Sequence, residues 1–115
     1  MTKDLIVKRV YDKPAKSDGT RVLVDRLWPR GVTKEKAKID LWAKELAPPR
    51  ELVTWFHGDK EKRFKDFEKK YWTYLKVEKE KMTEVKSRDG KVTFITAVKD
   101  IDRSHIPTLL RFFEK

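Results

Sequence analysis

Residues 21–31, RVLVDRLWPRG, place charged and aromatic side chains directly after a short apolar run. The run from Val22 to Val24 is continuous and aliphatic, which favours a strand that is buried on both faces. The residues that follow it and could do chemistry are Asp25, Arg26, Trp28 and Arg30. Guanidinium groups bind phosphate or carboxylate, an indole stacks on a ring, and a carboxylate accepts hydroxyls or acts as a general base. The segment therefore predicts one wall of a site for an anionic ligand.

A second set of polar residues follows the apolar segment KVTFITAV at 91–98, which also predicts a buried strand. These residues are Lys99, Asp100, Ser104 and His105. Ser104 is predicted to be the N-cap of a last helix with Pro107 in its first turn. Free N–H groups and the positive end of the helix dipole would favour an anion there. His105 is the candidate proton-transfer group because imidazole titrates nearest to neutral pH.

The two strands are separated by helical sequence, an arrangement that makes them parallel neighbours. Ligands bind beyond the carboxyl ends of the strands in open α/β sheets, so both polar clusters are expected to face one crevice. The candidate catalytic residues are His105, Asp25 and Asp100. The candidate ligand-binding residues are Arg26, Trp28, Arg30, Lys99 and Ser104. Structural roles stay open for the same side chains: an ion pair at the sheet edge, a ring that fills the core, or an imidazole bonded to the backbone.

The rest of the chain predicts a single small α/β domain over residues 1–115, with a mainly parallel sheet flanked by helices. LIVKRVY at 5–11 is the first predicted strand, and the nine residues that separate it from the next strand are too few for an ordinary parallel crossover. The first strand is therefore either antiparallel to the second or joined to it by a degenerate crossover. Apolar residues from Phe64 to Val85 recur at helical spacing and predict one helix of about 27 residues that begins near Asp59.

Composition excludes several kinds of chemistry. The chain has no cysteine, which rules out disulfides, thiolate catalysis and cysteine-ligated zinc. His57 and His105 are the two histidines and have no histidine partner at helical spacing, so no metal site is predicted. His57, next to Gly58, is interpreted as a loop or capping residue. No motif indicates a particular cofactor.

Lysine and arginine number 29 against 19 acidic residues, and the net charge of +10 favours anionic partners. A nucleic-acid-binding surface is one interpretation, and a solvated helix face with alternating charges, as in KEKEKMTEVK, is the other. The chain contains no asparagine or glutamine and much lysine and glutamate, which is typical of proteins from thermophiles. No segment is long and apolar enough to cross a bilayer, so we expect a cytoplasmic protein without a membrane partner.

Five segments together resemble one protein family over nearly the whole chain. They are KRVYD at 8–12, SDGTRVLVDRLWPRG at 17–31, LWAKELAP at 41–48, LVTWFHGD at 52–59, and TFITAVKD at 93–100 with the following Ser104-His105 turn. These segments look like the YeaO-like branch of the family called domain of unknown function 488. The resemblance implies a small α/β fold with a parallel sheet and recurring positions at Asp25, Arg26 and His105. It implies no reaction.

Three functions fit these observations. The leading hypothesis is an enzyme or ligand-binding domain for a small anionic molecule, nucleotide-like or sugar-phosphate-like, that is held at the strand tips. The second is a basic nucleic-acid-binding module without catalysis. The third is a homo-oligomeric interaction protein whose interface contains Trp42, Trp55 and Phe56. The sequence names neither the ligand nor the oligomeric state.

Overall fold

The structure is a computed structural model that describes residues 5–88 and 90–114. Four parallel strands form the centre of this part of the molecule. The strands lie in the order β1-β4-β2-β3. They are β1 (Leu5–Arg9), β2 (Thr20–Leu23), β3 (Leu41–Trp42) and β4 (Val92–Thr96). All five residues of β4 are buried. The small parallel sheet of an α/β domain that the sequence predicts is confirmed.

Five helices flank this sheet in the described part of the chain. They are α1 (Lys34–Ala37), α2 (Arg50–His57), α3 (Lys60–Val77), α4 (Lys79–Lys86) and α5 (Ile106–Glu114). Short 3₁₀ turns cover Lys16–Asp18, Lys44–Leu46 and Ile101–Arg103. None of the helices in the described ranges combines the length and the apolar composition that crossing a membrane requires.

The first strand is parallel to the second, although the two are not neighbours. β1 pairs with β4, β4 pairs with β2, and both pairings are parallel. The connection from β1 to β2 therefore passes the position of β4 and contains only the 3₁₀ turn Lys16–Asp18. The degenerate crossover is confirmed, and the antiparallel alternative is wrong. A crossover of this length is possible because it need not carry a helix across the sheet.

The prediction of a single helix of about 27 residues is wrong, because the structure has two helices, α3 and α4, in its place. The helix is interrupted at Glu78, whose φ and ψ of −94° and 38° lie outside the helical region. The predicted apolar stripe survives the interruption: Phe67, Tyr71 and Leu75 are buried in α3, and Met82 and Val85 are buried in α4. The break lets α4 pack beside the 3₁₀ turn at 44–46, where Lys81 reaches Glu45 at 3.9 Å.

Both faces of the sheet are covered, as the continuous apolar strands predict. Val22, Val24 and Phe94 face the larger cluster, which includes the buried residues of α3, α4 and α5. Leu23 and Ile95 face the opposite side, where the cluster includes Ala37 of α1 and the indoles of the segments around β2 and β3. Alternate residues along β2 and β4 thus point into two separate cores. A polar side chain in the middle of either of these strands is therefore kept from solvent, whichever face of the sheet it lies on.

A buried cluster of charges lies at the amino end of β2. Asp18 and Arg21 are 2% and 3% exposed, and Asp18 Oδ2 accepts from Arg21 Nη1 at 2.6 Å. Lys8 Nζ donates to the same carboxylate at 3.1 Å, and Arg21 Nε and Nη2 donate to the Ala37 carbonyl. Burial alone would raise the pKa of Asp18, but hydrogen bonds from the Ala15 N–H, Lys8 and Arg21 outweigh it and lower that pKa below its ordinary value.

Candidate functional site

Strands β2 and β4 separate at their carboxyl ends, and the Asp25 side chain lies where they separate. The last ladder hydrogen bond runs from the Val24 N–H to the Ile95 carbonyl at 3.0 Å. Beyond it, the Asp25 carboxylate accepts from the Ala97 N–H at 2.8 Å and from the Thr96 hydroxyl at 2.7 Å. Asp25 therefore satisfies backbone and side-chain donors that diverging strands leave without a partner. The gap between the strands opens at this residue.

His105 lies across this gap from Asp25. Its Nε2 is 2.9 Å from the Val24 carbonyl oxygen and 3.8 Å from Asp25 Oδ1, and the residue is 7% exposed. A carbonyl oxygen can only accept, so Nε2 carries the proton and donates it. Burial lowers the pKa of His105, and the nearby Asp25 and the Val24 carbonyl oppose this shift without cancelling it. The ring is therefore neutral at pH 7, with an unprotonated Nδ1.

Ser104 organises the turn that carries His105, although not as the predicted N-cap. Helix α5 begins at Ile106, and its first backbone bond runs from the Leu109 N–H to the His105 carbonyl, so His105 occupies the cap position. The Ser104 hydroxyl instead donates to the Ile101 carbonyl at 2.7 Å and accepts from the Ile106 N–H at 3.1 Å. The prediction was one residue early because the 3₁₀ turn at 101–103 closes on Ser104 before the helix starts.

Arg26 is anchored to the chain segment that faces it. Its Nε donates to the Pro48 carbonyl at 3.2 Å, and its Nη2 donates to the Ala47 carbonyl at 2.9 Å and to the Tyr74 hydroxyl at 3.0 Å. Among the described residues no protein acceptor faces Nη1. The fork formed by Nε and Nη2, which bidentate anion binding commonly uses, is therefore occupied, and one N–H₂ group is left for a ligand.

Two tyrosines complete the attachment of this segment. Tyr74 donates its hydroxyl to the Glu45 carbonyl at 2.8 Å, and the buried Tyr71 donates to the Leu46 carbonyl. Burial raises the pKa of Tyr71 well above its ordinary value, so this hydroxyl keeps its proton. With Arg26, side chains thus satisfy the four consecutive carbonyls of residues 45–48, which form one wall of the gap.

A cavity of about 410 Å³ opens at these strand ends; we call it the strand-end cavity. It is lined by Asp25, Arg26, Ser104 and His105 together with a majority of apolar residues. The larger apolar residues of the lining are Leu27, Trp28, Pro29, Val53, Phe56, Phe67 and Val98. Its volume falls within the range of small-molecule sites, and a largely apolar lining with a few convergent polar groups is their usual composition.

The structure brings together five of the eight predicted site residues, namely Asp25, Arg26, Trp28, Ser104 and His105. The other three, Arg30, Lys99 and Asp100, are exposed and do not line the strand-end cavity. Pro29 is buried and still lines the cavity, whereas Arg30 is exposed and is followed by Gly31, whose φ is 72°. Asp100 instead lines a separate surface depression with Phe64 and Arg103. The prediction that all eight residues face one crevice is therefore corrected for these three.

Trp28 lines the cavity, as expected of a ligand-binding residue, and also packs in the core, as expected of a structural one. Its indole lines the strand-end cavity, while its Nε1 donates to the Val32 carbonyl at 2.6 Å and its ring meets Trp42 edge-on at 5.5 Å. These contacts fix the ring, so the face that lines the cavity is preorganised. The adjacent Leu27 is 80% exposed at the cavity mouth.

Sequence reasoning missed the residues that helices α2 and α3 contribute. Val53, Phe56 and His57 of α2 and Phe67 of α3 line the strand-end cavity. Phe56 and Phe67 are stacked with their ring centroids 4.4 Å apart. The apolar side of RELVTWF was the available signal, but apolar periodicity does not distinguish a core residue from a cavity wall. His57, interpreted as a loop or capping residue, is the last residue of α2 at the cavity rim.

A second depression, about 480 Å³ in volume, lies between α3 and α5, away from the strand ends. Its lining includes Lys65, Lys69, Trp72 and Arg111, and it is open to solvent along much of its length. Within the described ranges no three histidine, aspartate or glutamate side chains converge as metal ligands do. The strand-end cavity is therefore where the polar groups of the sheet edge and an apolar enclosure coincide.

Residues 4–115 match the model of a family described as the inactive DUF488-N3 subclade. The chain belongs to the DUF488 family. This DUF488 domain is 38% identical over 105 residues to the uncharacterized protein Rv3073c of Mycobacterium tuberculosis (strain ATCC 25618 / H37Rv), covering 90% of this chain and 87% of that protein. The YeaO-like resemblance is confirmed: the chain is 56% identical over 52 residues to the uncharacterized protein YeaO of Escherichia coli (strain K12), covering 45% of each chain. No solved structure matches the DUF488 domain.

The buried neutral His105 predicts that the DUF488 domain loses stability in mild acid. Its pKa in the folded state lies below 6.5, so the unfolded chain takes up this proton first as the pH falls. The free energy of unfolding should therefore decrease as the pH falls below 6.5, the ordinary pKa of the unfolded imidazole. The decrease should be up to about 1.4 kcal/mol per pH unit until the imidazole of the folded state also takes up a proton. Denaturant unfolding of the wild type and His105→Phe between about pH 5 and pH 7 measures this component. Equal pH slopes in the two proteins would contradict a neutral, buried His105.

Proposed function

We propose that this DUF488 domain is a binding module, without catalysis, for a small molecule that has a flat apolar body and one anionic group. The observation that carries the proposal is the strand-end cavity, in which a rigid apolar enclosure meets Arg26. The cavity walls come from the segments that follow β2 and β4, from Ala47 and Pro48, from α2 and α3, and from the turn before α5, so the enclosure depends on several elements of the fold. Such a site binds mainly through its apolar walls, and its few polar groups orient the ligand.

Two features support binding rather than catalysis. The subclade to which the chain belongs is described as inactive. The groups predicted for proton transfer are also committed elsewhere: His105 Nε2 donates to the Val24 carbonyl, and both Asp25 oxygens accept protein hydrogen bonds. The third such group, Asp100, does not line the strand-end cavity. These hydrogen bonds hold His105 and Asp25 in the framework of the sheet edge, which is a structural role for both side chains.

Arg26 is the group proposed to meet the anion. Asp25 and Arg26 are the lining side chains with a full charge in the part of the chain that the structure describes, and Asp25 is negative. The Nη1 group of Arg26 has no acceptor among the described protein atoms, whereas Nε and Nη2 are held by carbonyls. A fixed guanidinium with one free edge binds an anion without losing side-chain entropy on association.

The test is a ligand screen of the wild type beside one variant that fills the cavity and one matched control. Val53→Trp places an indole in the strand-end cavity, while Val77→Trp makes the same change at a position that is 77% exposed on α3. Nucleoside monophosphates, sugar phosphates and short oligonucleotides are added at low and moderate salt, and the midpoint of thermal unfolding is measured. Saturation at about 100 times the dissociation constant should stabilise the folded state by about 2.7 kcal/mol.

The proposal expects stabilisation by a small anion in the wild type and Val77→Trp and its loss in Val53→Trp. Stabilisation that survives Val53→Trp would place binding elsewhere and overturn the proposal. Stabilisation by oligonucleotides alone, which weakens steeply with salt and is indifferent to Val53, would also overturn it and favour the basic surface as a nucleic-acid-binding site. A lack of response to every probe would overturn it as well.

A further inference from the structure

One face of α3 carries a line of exposed lysines with a tryptophan among them. Lys62, Lys65, Lys69, Trp72 and Lys76 follow one another at intervals of three and four residues, the spacing that places side chains on one face of a helix. The lysines of this line are exposed, and Trp72 is half-buried. At the helical rise per residue, the line from Lys62 to Lys76 is about 21 Å long. We call these five residues the α3 stripe.

The protein does not neutralise the lysines of the α3 stripe. Within residues 5–88 and 90–114, their ammonium groups form no ion pair and no hydrogen bond. A solvated helix face usually sets opposite charges four residues apart, whereas Lys65 and Lys69 set like charges at that spacing, which destabilises a helix slightly. The α3 stripe is therefore a positive surface that a bound anion would relieve.

The depression between α3 and α5 lies beside this stripe. Lys65 and Lys69 line it, and its volume is about 480 Å³. Its acidic lining residue, Glu68, accepts from Arg111 Nη2 at 2.8 Å and from the Thr108 hydroxyl at 3.1 Å. The negative charge of Glu68 is thus already paired with Arg111, and the two lysines leave the lining with a net positive charge.

Trp72 adds an aromatic wall to the depression. Its ring meets the Phe112 ring with the centroids 4.8 Å apart and the planes at 72°, a contact that holds the indole beside the lysines. Cations that follow a phosphate backbone, together with an aromatic ring for the bases, are the usual composition of surfaces that bind single strands. A base inside a duplex is already stacked and cannot reach such a ring. An acidic peptide would use the lysines but has no need of the indole.

We infer that the α3 stripe and the depression beside it bind single-stranded nucleic acid, with phosphates on the lysines and a base stacked on Trp72. The inference is independent of the proposed function. Helix α3 contributes to both sites through different faces, because the buried Phe67 lines the strand-end cavity and the exposed α3 stripe does not. The net charge of +10 adds a long-range attraction for any polyanion.

Two double variants with the same change in charge test the inference. The affinity for a labelled oligothymidylate of about ten nucleotides is measured by fluorescence anisotropy at several salt concentrations. Lys65→Gln with Lys69→Gln should weaken binding about tenfold at low salt and reduce the slope of log affinity against log salt by about 1.4. Lys34→Gln with Lys36→Gln is the control on α1, which packs on the opposite face of the sheet, and should change the affinity less than about twofold.

Trp72→Leu tests the stacking contact separately. It should weaken oligothymidylate binding about fivefold or more and leave the salt slope unchanged, because it removes an aromatic ring and no charge. The lysine variants alter exposed side chains alone, so they decide the inference even if Trp72→Leu does not fold.

The remaining outcomes separate this inference from its alternatives. Equal weakening by the two lysine double variants would show that net charge alone attracts the strand, and it would overturn a site at the α3 stripe. A duplex of the same sequence that binds as tightly as the single strand would overturn base stacking. Equal affinity for polyglutamate of the same charge would overturn the inference in favour of an acidic protein partner, and a lack of binding at low salt would overturn it as well. Val53→Trp, which fills the strand-end cavity, should leave oligothymidylate affinity unchanged, so the two proposals fail separately.

Discussion

Replacing Asp18 with asparagine is expected to lower the free energy of unfolding by about 3–5 kcal/mol. The substitution leaves Arg21, which is 3% exposed, with a positive charge that has lost its counter-ion. Arg21 cannot give up its proton, and the fold offers it no solvent. Chemical denaturation of the variant and the wild type, with a common slope against denaturant concentration, measures the loss.

Two further variants make this result specific. Lys8 is the more exposed partner of Asp18, since the Lys8 side chain is 22% exposed. Lys8→Met should therefore lower the free energy of unfolding by less than about 1 kcal/mol. The double variant Asp18→Leu with Arg21→Met removes both buried charges and should recover most of the stability, because the pair itself contributes little net free energy. A cost for Asp18→Asn no larger than that for Lys8→Met would show that Arg21 finds another partner.

Gly19→Ala is expected to cost about 2–5 kcal/mol, the sum of backbone strain and overpacking. Gly19 has a φ of 67°, and a Cβ built on it would lie 2.2 Å from the Lys91 carbonyl oxygen. That carbonyl accepts from the Thr20 N–H at 3.0 Å, where the pairing of β2 with β4 begins. The alanine would therefore have to displace backbone at the start of the two strands whose other ends form the strand-end cavity.

Gly31→Ala is the matched control for this experiment. Gly31 has a similar φ of 72°, but a Cβ built there meets no atom within 4 Å. It should therefore carry only the backbone strain, about 1–2 kcal/mol. Unfolding curves of the two variants in the same denaturant give the difference directly. Equal losses of unfolding free energy in the two variants would mean that the Lys91 backbone moves without cost. The close approach of Gly19 to the Lys91 carbonyl would then contribute nothing to stability.

The location of the candidate site could be predicted from the sequence because it depends on topology. Asp25 and His105 follow two buried parallel strands, and the strand order makes these strands neighbours, so their carboxyl ends meet. The same reasoning failed for Arg30, Lys99 and Asp100, which are exposed and do not line the strand-end cavity. Lys99 and Asp100 are nearer to the end of β4 than His105 is, so the distance along the chain from a strand end does not decide which residues line the cavity. The path of the loop decides it, and no periodic pattern in the sequence reports that path.

The role of Arg26 could not be predicted from the sequence for a different reason. Its acceptors are the backbone carbonyls of Ala47 and Pro48, and every residue carries such a group. The buried pair of Asp18 and Arg21 escaped prediction in a similar way, since DKPAKSDGT resembles an exposed turn in composition. The interruption at Glu78 also has no sequence signal, because all residues from Lys76 to Lys81 are compatible with a helix. Tertiary packing decides each of these features.

The strand order has a consequence for how this chain is made. β4, which is synthesised last among the strands, lies between β1 and β2, which are synthesised first. Arg9 donates to the carbonyl of Val98, 89 positions further along the chain. On the ribosome, a nascent chain that stops at residue 91 carries β1, β2 and β3 but lacks β4, which joins β1 to β2, and such unpaired strand edges pair readily with other chains. We therefore expect the sheet to form only after β4 has been synthesised, and we expect folding to be slow because its contacts join distant parts of the sequence.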